Sequence, residues 1–291
     1  MVWQTRLPQP SSERLSEKLT ISLLYHDIFD YPLREKELLK WVSGDKLKLI
    51  TARPRVRIVK QLYCIKGREK IIEDRLKKEK ISREKMKILS KARFVFDMVP
   101  SILMVGITGS LAMFSSSKDS DIDLLIVVKK GTLWTTRLKV LYLMFKHRVP
   151  VRRAKEKESK DRICLNMWMD RNELEIKGPR NAYTAHELAQ IIPLINKEYS
   201  YEGLISANKW IIDYWPKAVS VDNFHFSKPT ERINILSFLF EKIAYFLQIA
   251  YMLPKRTCET ISPTRAFFHP FNWSEKVIKE LQLRGVVDCS L

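Results

Sequence analysis

Glycine is scarce in this chain, with eight residues in 291. No glycine-rich linker or low-complexity tract is built from so few, and no internal repeat is visible, so the sequence reads as folded. Cysteine is scarcer still. Cys64, Cys164, Cys258 and Cys289 lie far apart with no CxxC pair. That excludes a zinc-finger spacing and a disulfide framework, and it fits a reducing cytoplasm. The opening MVWQTRLPQPSSER lacks the long apolar run of a secretory signal. One long apolar stretch exists, Ile233 to Leu253, but Glu241 and Lys242 sit at its centre. Charge at mid-bilayer is costly, so the stretch reads as a buried or partner-facing helix, and no membrane is expected.

Acidic residues are also in short supply: 33 Asp and Glu against 52 Lys and Arg, a net charge of +19 with pI near 9.7. The excess is concentrated. Between Lys46 and Arg93 there are 18 basic and 5 acidic residues, a net of +13. A field this dense attracts polyanions, so nucleic acid is an expected partner of the 46–93 segment, beside the plainer reading of a solvated basic face.

The length allows two or three compact units. Residues 12–29 and the segment opened by Pro32 read as helices, and the β-branched run to Gly67 reads as a two-stranded ribbon. Residues 68–97 read as a long charged helix, broken near Ile81–Ser82 with Ser82 as a cap. Two uncharged apolar runs, SILMVGI and DIDLLIVV, read as buried strands. Thr132 can cap a helix over 133–147, and RICLNMWMD (162–170) reads as a third strand with NELEI (172–176) returning beside it. Thr184 and Glu187 read as a capping box. Residues 203–214 read as helix, VSVDNFHFSKPTE as a polar linker, and 230–253 as a further helix before a proline-punctuated tail.

The stretch GITGSLAMFSSSKDSDIDLLIV, residues 106–127, carries the chemistry. A buried strand ends at Thr108. Gly109 and Ser110 then turn the chain, glycine permitting close backbone approach and serine adding a hydroxyl, an arrangement suited to a phosphate. After a polar loop the chain enters a strand at Asp121 and Asp123, which as residues i and i+2 share a face, while Ile122, Leu124 and Ile126 point the other way. Two adjacent carboxylates repel unless a cation lies between them, and Mg²⁺ favours one or two carboxylates plus substrate phosphates.

Here the chain resembles the DNA polymerase β-type nucleotidyltransferase superfamily, whose signature is a hydrophobic strand, Gly-Ser, about ten residues, and an Asp-hydrophobic-Asp strand. The resemblance covers roughly residues 94–200. It implies that Gly109 and Ser110 hold the triphosphate of a nucleoside triphosphate, and that Asp121 and Asp123 bind Mg²⁺, with two ions expected. The implied reaction is hydroxyl attack on the α-phosphate with pyrophosphate release. The first 67 or so residues resemble a winged helix-turn-helix domain, with no third helix evident between Gly44 and Arg57.

The pattern departs from the superfamily at one place. Active members carry a third carboxylate on the later strand. On one face of RICLNMWMD alternation puts Cys164, Asn166, Trp168 and Asp170. Asn166 offers a neutral oxygen but cannot act as a base, and Asp170 lies about 13 Å further on at roughly 3.3 Å per residue. Glu173 and Glu175 are alternatives from a hairpin, and the sequence does not choose among these acids. Lys118 is a candidate phosphate contact, and Lys129, Lys130 and Arg137 are weaker ones. His186, Tyr183 and Trp210 read as structural, and Cys164 as a buried strand residue with no basic group to activate it.

The expected fold is therefore α+β: a basic helical, winged-helix-like unit over 1–93, a nucleotidyltransferase domain over 94–215 and a helical segment over 216–291. The expected function is nucleotidyl transfer to a hydroxyl acceptor. The alternative is a nucleic-acid-binding regulator whose core senses a nucleotide without turning it over. A toxin–antitoxin half fits less well, because those enzymes are shorter. The base, the acceptor and the oligomeric state are not legible.

Overall fold

The computed structural model describes residues 12–152, 156, 160–220, 234–252, 260–268 and 273–289, and these form a mixed α+β protein. The polar linker expected after Pro216 and Cys258 fall largely or wholly outside them.

Helix α1 (Ser12–Asp27) leads to a two-residue strand β1 (Leu33–Arg34), a short α2 (Glu35–Lys40) and β2 (Leu47–Leu49). The expected ribbon forms from β3 (Val56–Val59) and β4 (Leu62–Ile65). Its turn residues, Lys60 and Gln61, both take left-handed backbone angles, φ +51° and +62°. That twist suits a two-residue hairpin. The sheet order is β1–β4–β3. No helix lies between Gly44 and Arg57; β2 occupies that stretch.

Helix α3 (Ile71–Asp97) is unbroken, contrary to the expected interruption at Ser82. Its buried stripe explains both the length and the expected break. Arg75, Glu79, Ser82 and Lys85 are buried, then Leu89, Ala92, Val95 and Phe96. After Ile71 and Ile72 the buried stripe is thus polar from Arg75 to Lys85 and apolar from Leu89 on, and the polar stretch looks like a break when only hydrophobic spacing is followed.

The central sheet follows. Strand β5 (Ile102–Ile107) runs into the single turn α4 (Gly109–Ala112), then β6 (Ile122–Val128), α5 (Leu133–Lys146) and β7 (Ile163–Asp170). Next come α6 (Ala182–Ala189), β8 (Ile192–Asn196), α7 (Ser200–Ala207) and α8 (Ile211–Tyr214). The helix expected over 203–214 is therefore two, parted at Asn208, whose side chain bonds the Leu204 and Leu174 carbonyls. After α9 (Ile235–Met252) come β9 (Thr260–Ser262), β10 (Arg265–Phe267), α10 (Trp273–Leu283) and β11 (Val286–Asp288).

The six-stranded sheet is ordered β8–β5–β6–β7–β10–β9, with β6 and β7 parallel and the other pairs antiparallel. The partner expected for β7 from 172–176 is not a strand; β10, from the tail, pairs with β7 instead. The tail also supplies β11, which pairs with β2. These contributions were not read from the sequence, since short strands give little periodicity.

Both faces of the sheet are covered. Ile122, Leu124 and Ile126 pack among α3 and α5 residues such as Phe96 and Trp134. Leu125 and Val127, alternating with them, pack toward α1, α2, α6, α7, α8 and α10, through Tyr25, Leu38, Ala185, Leu204, Ile211 and Leu281. One core thus joins segments that the sequence reading divides at 93 and 215.

Helix α5 begins after Thr132 as expected, but the Thr132 side chain does not cap it. Glu241 of α9 does so from a distance, accepting from the amides of Trp134 (2.6 Å) and Thr135 (2.9 Å). A carboxylate at a helix start is favoured by the exposed amides and the helix dipole. Gln248 adds a bond to the Trp134 carbonyl at 2.9 Å. So α9 turns its polar residues inward, while Phe238, Phe240, Phe246, Leu247 and Tyr251 face outward. By length and composition α9 could cross a membrane; 17% of its apolar window is buried. The buried-helix expectation holds for Glu241, Ala244 and Gln248 only.

Candidate active site

Strand β6 brings Asp123, and Asp121 immediately before it, to the sheet face on which Leu125 and Val127 continue the core. Strand β7, parallel to it, places Cys164 opposite Asp123. One ligand atom from each of Asp121, Asp123 and Cys164 lies within 4.8 Å of the others. The two carboxylates therefore converge, as alternation requires.

The glycine turn closes on them. Gly109 has φ +59°, and a Cβ built there would stand 2.8 Å from Asp123 Oδ2. Any other residue would meet both a left-handed backbone and a carboxylate oxygen. The Thr108 amide donates to the Asp123 carbonyl at 3.0 Å, tying the turn to the strand. Ser110 Oγ lies 3.3 Å from Ser116 Oγ, and Ser110 accepts the Ser115 amide through its carbonyl at 2.8 Å.

The loop between turn and strand is held by the polar half of the α3 stripe. Arg75 donates to the Met113 (3.1 Å) and Phe114 (2.7 Å) carbonyls, and Ser82 Oγ accepts the Ser116 amide at 3.0 Å. Lys85 Nζ, 1% exposed, donates to the Ser120 carbonyl and to Asp161 Oδ1, each at 2.7 Å. Two charges counted in the basic segment are therefore internal clamps. Lys118 stays exposed, and its carbonyl meets Lys85 at 3.5 Å.

The third position is where the structure corrects the sequence reading. Asp123 pairs with Cys164 but Leu125 pairs with Met167, so two residues on β6 span three on β7. This bulge breaks the alternation. Cys164 and Asn166 serve the site, whereas Trp168 belongs to the opposite core. Asp170 lies at the far end of β7 beside Val128, accepting from the amides of Gly131 (2.6 Å) and Asn172 (2.8 Å). It is a loop anchor, not a member of the cluster. Glu173 pairs with Lys177 at 3.1 Å and Glu175 with Arg180 at 2.7 Å, so neither joins the cluster. Asn166 does reach the site, its Nδ2 donating to Asp123 Oδ1 at 2.8 Å.

Three features of the site were not found from the sequence. Arg152 pairs with Asp121. Cys164 lies with the carboxylates and hydrogen-bonds Asp123. Glu187, read as part of a capping box, accepts from Gln190 at 2.8 Å, while the cap of α6 is Asn181, whose Oδ1 takes the Thr184 amide at 3.0 Å. The signal for Cys164 was its shared face with Asn166; no local signal marked Arg152.

The electrostatics follow. Burial first, and then the Asp121 charge, push the Asp123 carboxyl up to about 7; bonds from Cys164 and Asn166 and the charge of Arg152 work against this. Burial, and the charge of Asp123 next, lift Glu187 to about 7. Burial raises the Cys164 thiol well above its ordinary value, with Asp123 and Asp121 adding to the effect. Negative charge is thus gathered where it is costly, and a cation would relieve it.

His186 is structural, as expected: buried, stacked on Trp41 at 3.9 Å between centroids, its Nε2 3.1 Å from that of His26. Tyr183 and Trp210 are partly buried against the same core. A cavity of about 410 Å³ opens beside the turn, lined in part by Tyr31, Arg34, Lys40 and Met113. No family model, no curated protein and no solved structure matches this chain.

Proposed function

We propose that this chain is a divalent-cation-dependent nucleotidyltransferase of DNA polymerase β type. The observation that carries the reading is the convergence of Asp121 and Asp123 on the Gly109 turn, where a Cβ would stand 2.8 Å from a carboxylate oxygen. The residues fit a cation: like charges lie side by side, and Asn166 Oδ1 is buried with no hydrogen-bond partner among the described residues. Bound there, a divalent ion such as Mg²⁺ would supply charge neutralisation for a triphosphate. Asp121 and Asp123 would hold it, and Gly109 and Ser110 would receive the phosphates, leaving no side chain at residue 109 to obstruct them. In the transfer, the acceptor oxygen bonds the α-phosphorus as the bond to the bridging oxygen breaks. Pyrophosphate leaves, and the acceptor proton passes to solvent. Asn166 cannot take that proton.

A nucleic-acid acceptor is supported by the β3–β4 hairpin. All four residues of β3, Arg57 among them, are exposed, and Arg53, Arg55 and Lys60 beside them are exposed too. The second reading, a nucleotide-sensing regulator, is favoured by Asn166 standing where active members carry an acid and by the wing-like order β1–β4–β3.

The test is incubation with each of the four nucleoside triphosphates, labelled at the α-phosphate, with Mg²⁺ or Mn²⁺ and with RNA or the protein itself as acceptor. Label transfer with pyrophosphate release, lost in Asp121→Asn with Asp123→Asn, is expected. Nucleotide binding without release, together with salt-sensitive DNA binding, would replace the enzyme with the regulator.

A further inference from the structure

The thiol in the cluster changes which ion the site should prefer. Parallel pairing of β6 and β7 sets Cys164 opposite Asp123, so its Sγ arrives where the two carboxylates converge. The bulge that follows returns Asn166 to the same face, in contact with Asp123 at 2.8 Å. Asn166 is 8% exposed, and its Oδ1 has no hydrogen-bond partner among the described residues. Leaving a buried acceptor unsatisfied is costly, so an orphaned oxygen at a ligand cluster points to a guest that would use it. An amide turned about its last bond presents oxygen in place of nitrogen at the same position.

We infer that Asp121, Asp123 and Cys164 form a mixed oxygen–sulfur site for a borderline transition ion of the Zn²⁺ and Co²⁺ class in preference to Mg²⁺, with the Asn166 amide oxygen as a neutral donor beside it. Mg²⁺ takes oxygen ligands and dehydrates reluctantly, whereas thiolate favours softer ions. A carboxylate at residue 164 would leave an all-oxygen set; the thiol does not. The inference rests on the transferase reading for the purpose of the ion, and the donor set itself is independent of turnover. Any Mg²⁺ needed for transfer would then enter with the triphosphate, on its phosphate oxygens. Arg152, which pairs with Asp121, is the positive charge that the ion must outcompete.

The measurement is a Co²⁺ titration of the full chain after chelation, read by the sulfur-to-cobalt charge-transfer absorption in the near ultraviolet. One equivalent of Co²⁺ is expected to give the band, Zn²⁺ to displace it, and about a hundredfold excess of Mg²⁺ to leave it. Cys164→Ser should abolish the band while circular dichroism stays unchanged, which separates Cys164 from Cys64, Cys258 and Cys289. Cys164→Asp should lose the band and bind Mg²⁺ about tenfold more tightly than the wild type. Co²⁺ bound without the band, a band that survives in Cys164→Ser, or Mg²⁺ displacing Co²⁺ at equal concentration would overturn the inference. None of these outcomes decides the transferase reading, which stands or falls on label transfer from the nucleoside triphosphates. A sulfur-ligated ion without transfer would keep the inference and remove the enzyme.

Discussion

Two regions of this molecule withdraw charge from water, and they do so in opposite ways. At the junction of α2, α3 and the loop after α4, Arg75 is 1% exposed, meets Glu37 at 2.8 Å and Glu79 at 3.1 Å, donates to two carbonyls and lies over the Tyr31 ring at 3.8 Å. Arg34 also pairs with Glu79. Opposite charges are matched there. At the end of β6, Asp121 and Asp123 stand together with a thiol and an amide whose oxygen has no partner among the described residues. Matched burial builds architecture, because removing either partner strands a charge. Gathered like charge is costly to the fold, and its persistence points to a ligand.

The sharpest way to break this comparison is to neutralise each region. Asp121→Asn with Asp123→Asn is expected to lower label transfer by about 10³-fold or more, since charge neutralisation at the phosphates contributes several kcal/mol. Asp123→Asn alone should stabilise the protein by about 1 kcal/mol at pH 8, read by urea melts. The sign follows from the raised carboxyl: the folded chain keeps a proton that the unfolded chain loses near pH 4, so stability falls as pH climbs to about 7 and stays reduced above it. A destabilised Asp123→Asn at pH 8 would put the site on the architectural side.

Arg75→Met should do the reverse, costing about 3–5 kcal/mol in urea melts by removing the buried cation that Glu37 and Glu79 share and the donor to the Phe114 carbonyl. A variant within 1 kcal/mol of the wild type would show that the junction is not a clamp.

A third probe concerns the buried histidines. Burial lowers His26 to about 4, opposed by its bond to the Ser22 carbonyl, and lowers His186 as well, with the neighbouring His26 and Lys40 acting in the same direction. A depressed histidine contributes stability that is present above about pH 6.5 and lost on acidification toward 4. His26 alone should account for about 2 kcal/mol between pH 7 and pH 5. Asp123 and Glu187, both raised, oppose this slope. The comparison is therefore wild type against His26→Gln, whose melting temperature should fall less across that interval. Equal falls would mean that the pair titrates normally.

A small effect is expected at α5. Glu241→Gln should cost about 1 kcal/mol by weakening the cap on Trp134 and Thr135. No change in a thermal melt would mean that α9 is seated by other contacts.

What was legible in the sequence was local and periodic. The strands at 102–107 and 122–128, the glycine turn and the shared face of Asp121 and Asp123 all follow from spacing within one stretch. What was not legible depended on partners far along the chain. The α5 cap comes from Glu241, more than a hundred residues away. The edge of the sheet beyond β7 comes from the tail, and α3 looked broken because its buried stripe is polar where it grips the loop. The third position failed for a subtler reason. Alternation is a sound rule until a bulge adds a residue, and on β7 between Cys164 and Met167 one does. That extra residue moves Asp170 off the face that Cys164 and Asn166 share.

The most direct test is diffraction from crystals grown with Mn²⁺ and a nucleoside triphosphate that resists cleavage between its α- and β-phosphorus atoms, recorded at the manganese edge. An anomalous peak between Asp121 and Asp123, with the triphosphate over Gly109 and Ser110, is expected. A triphosphate seated instead in the cavity beside Tyr31 and Arg34, with no ion at the two aspartates, would contradict it.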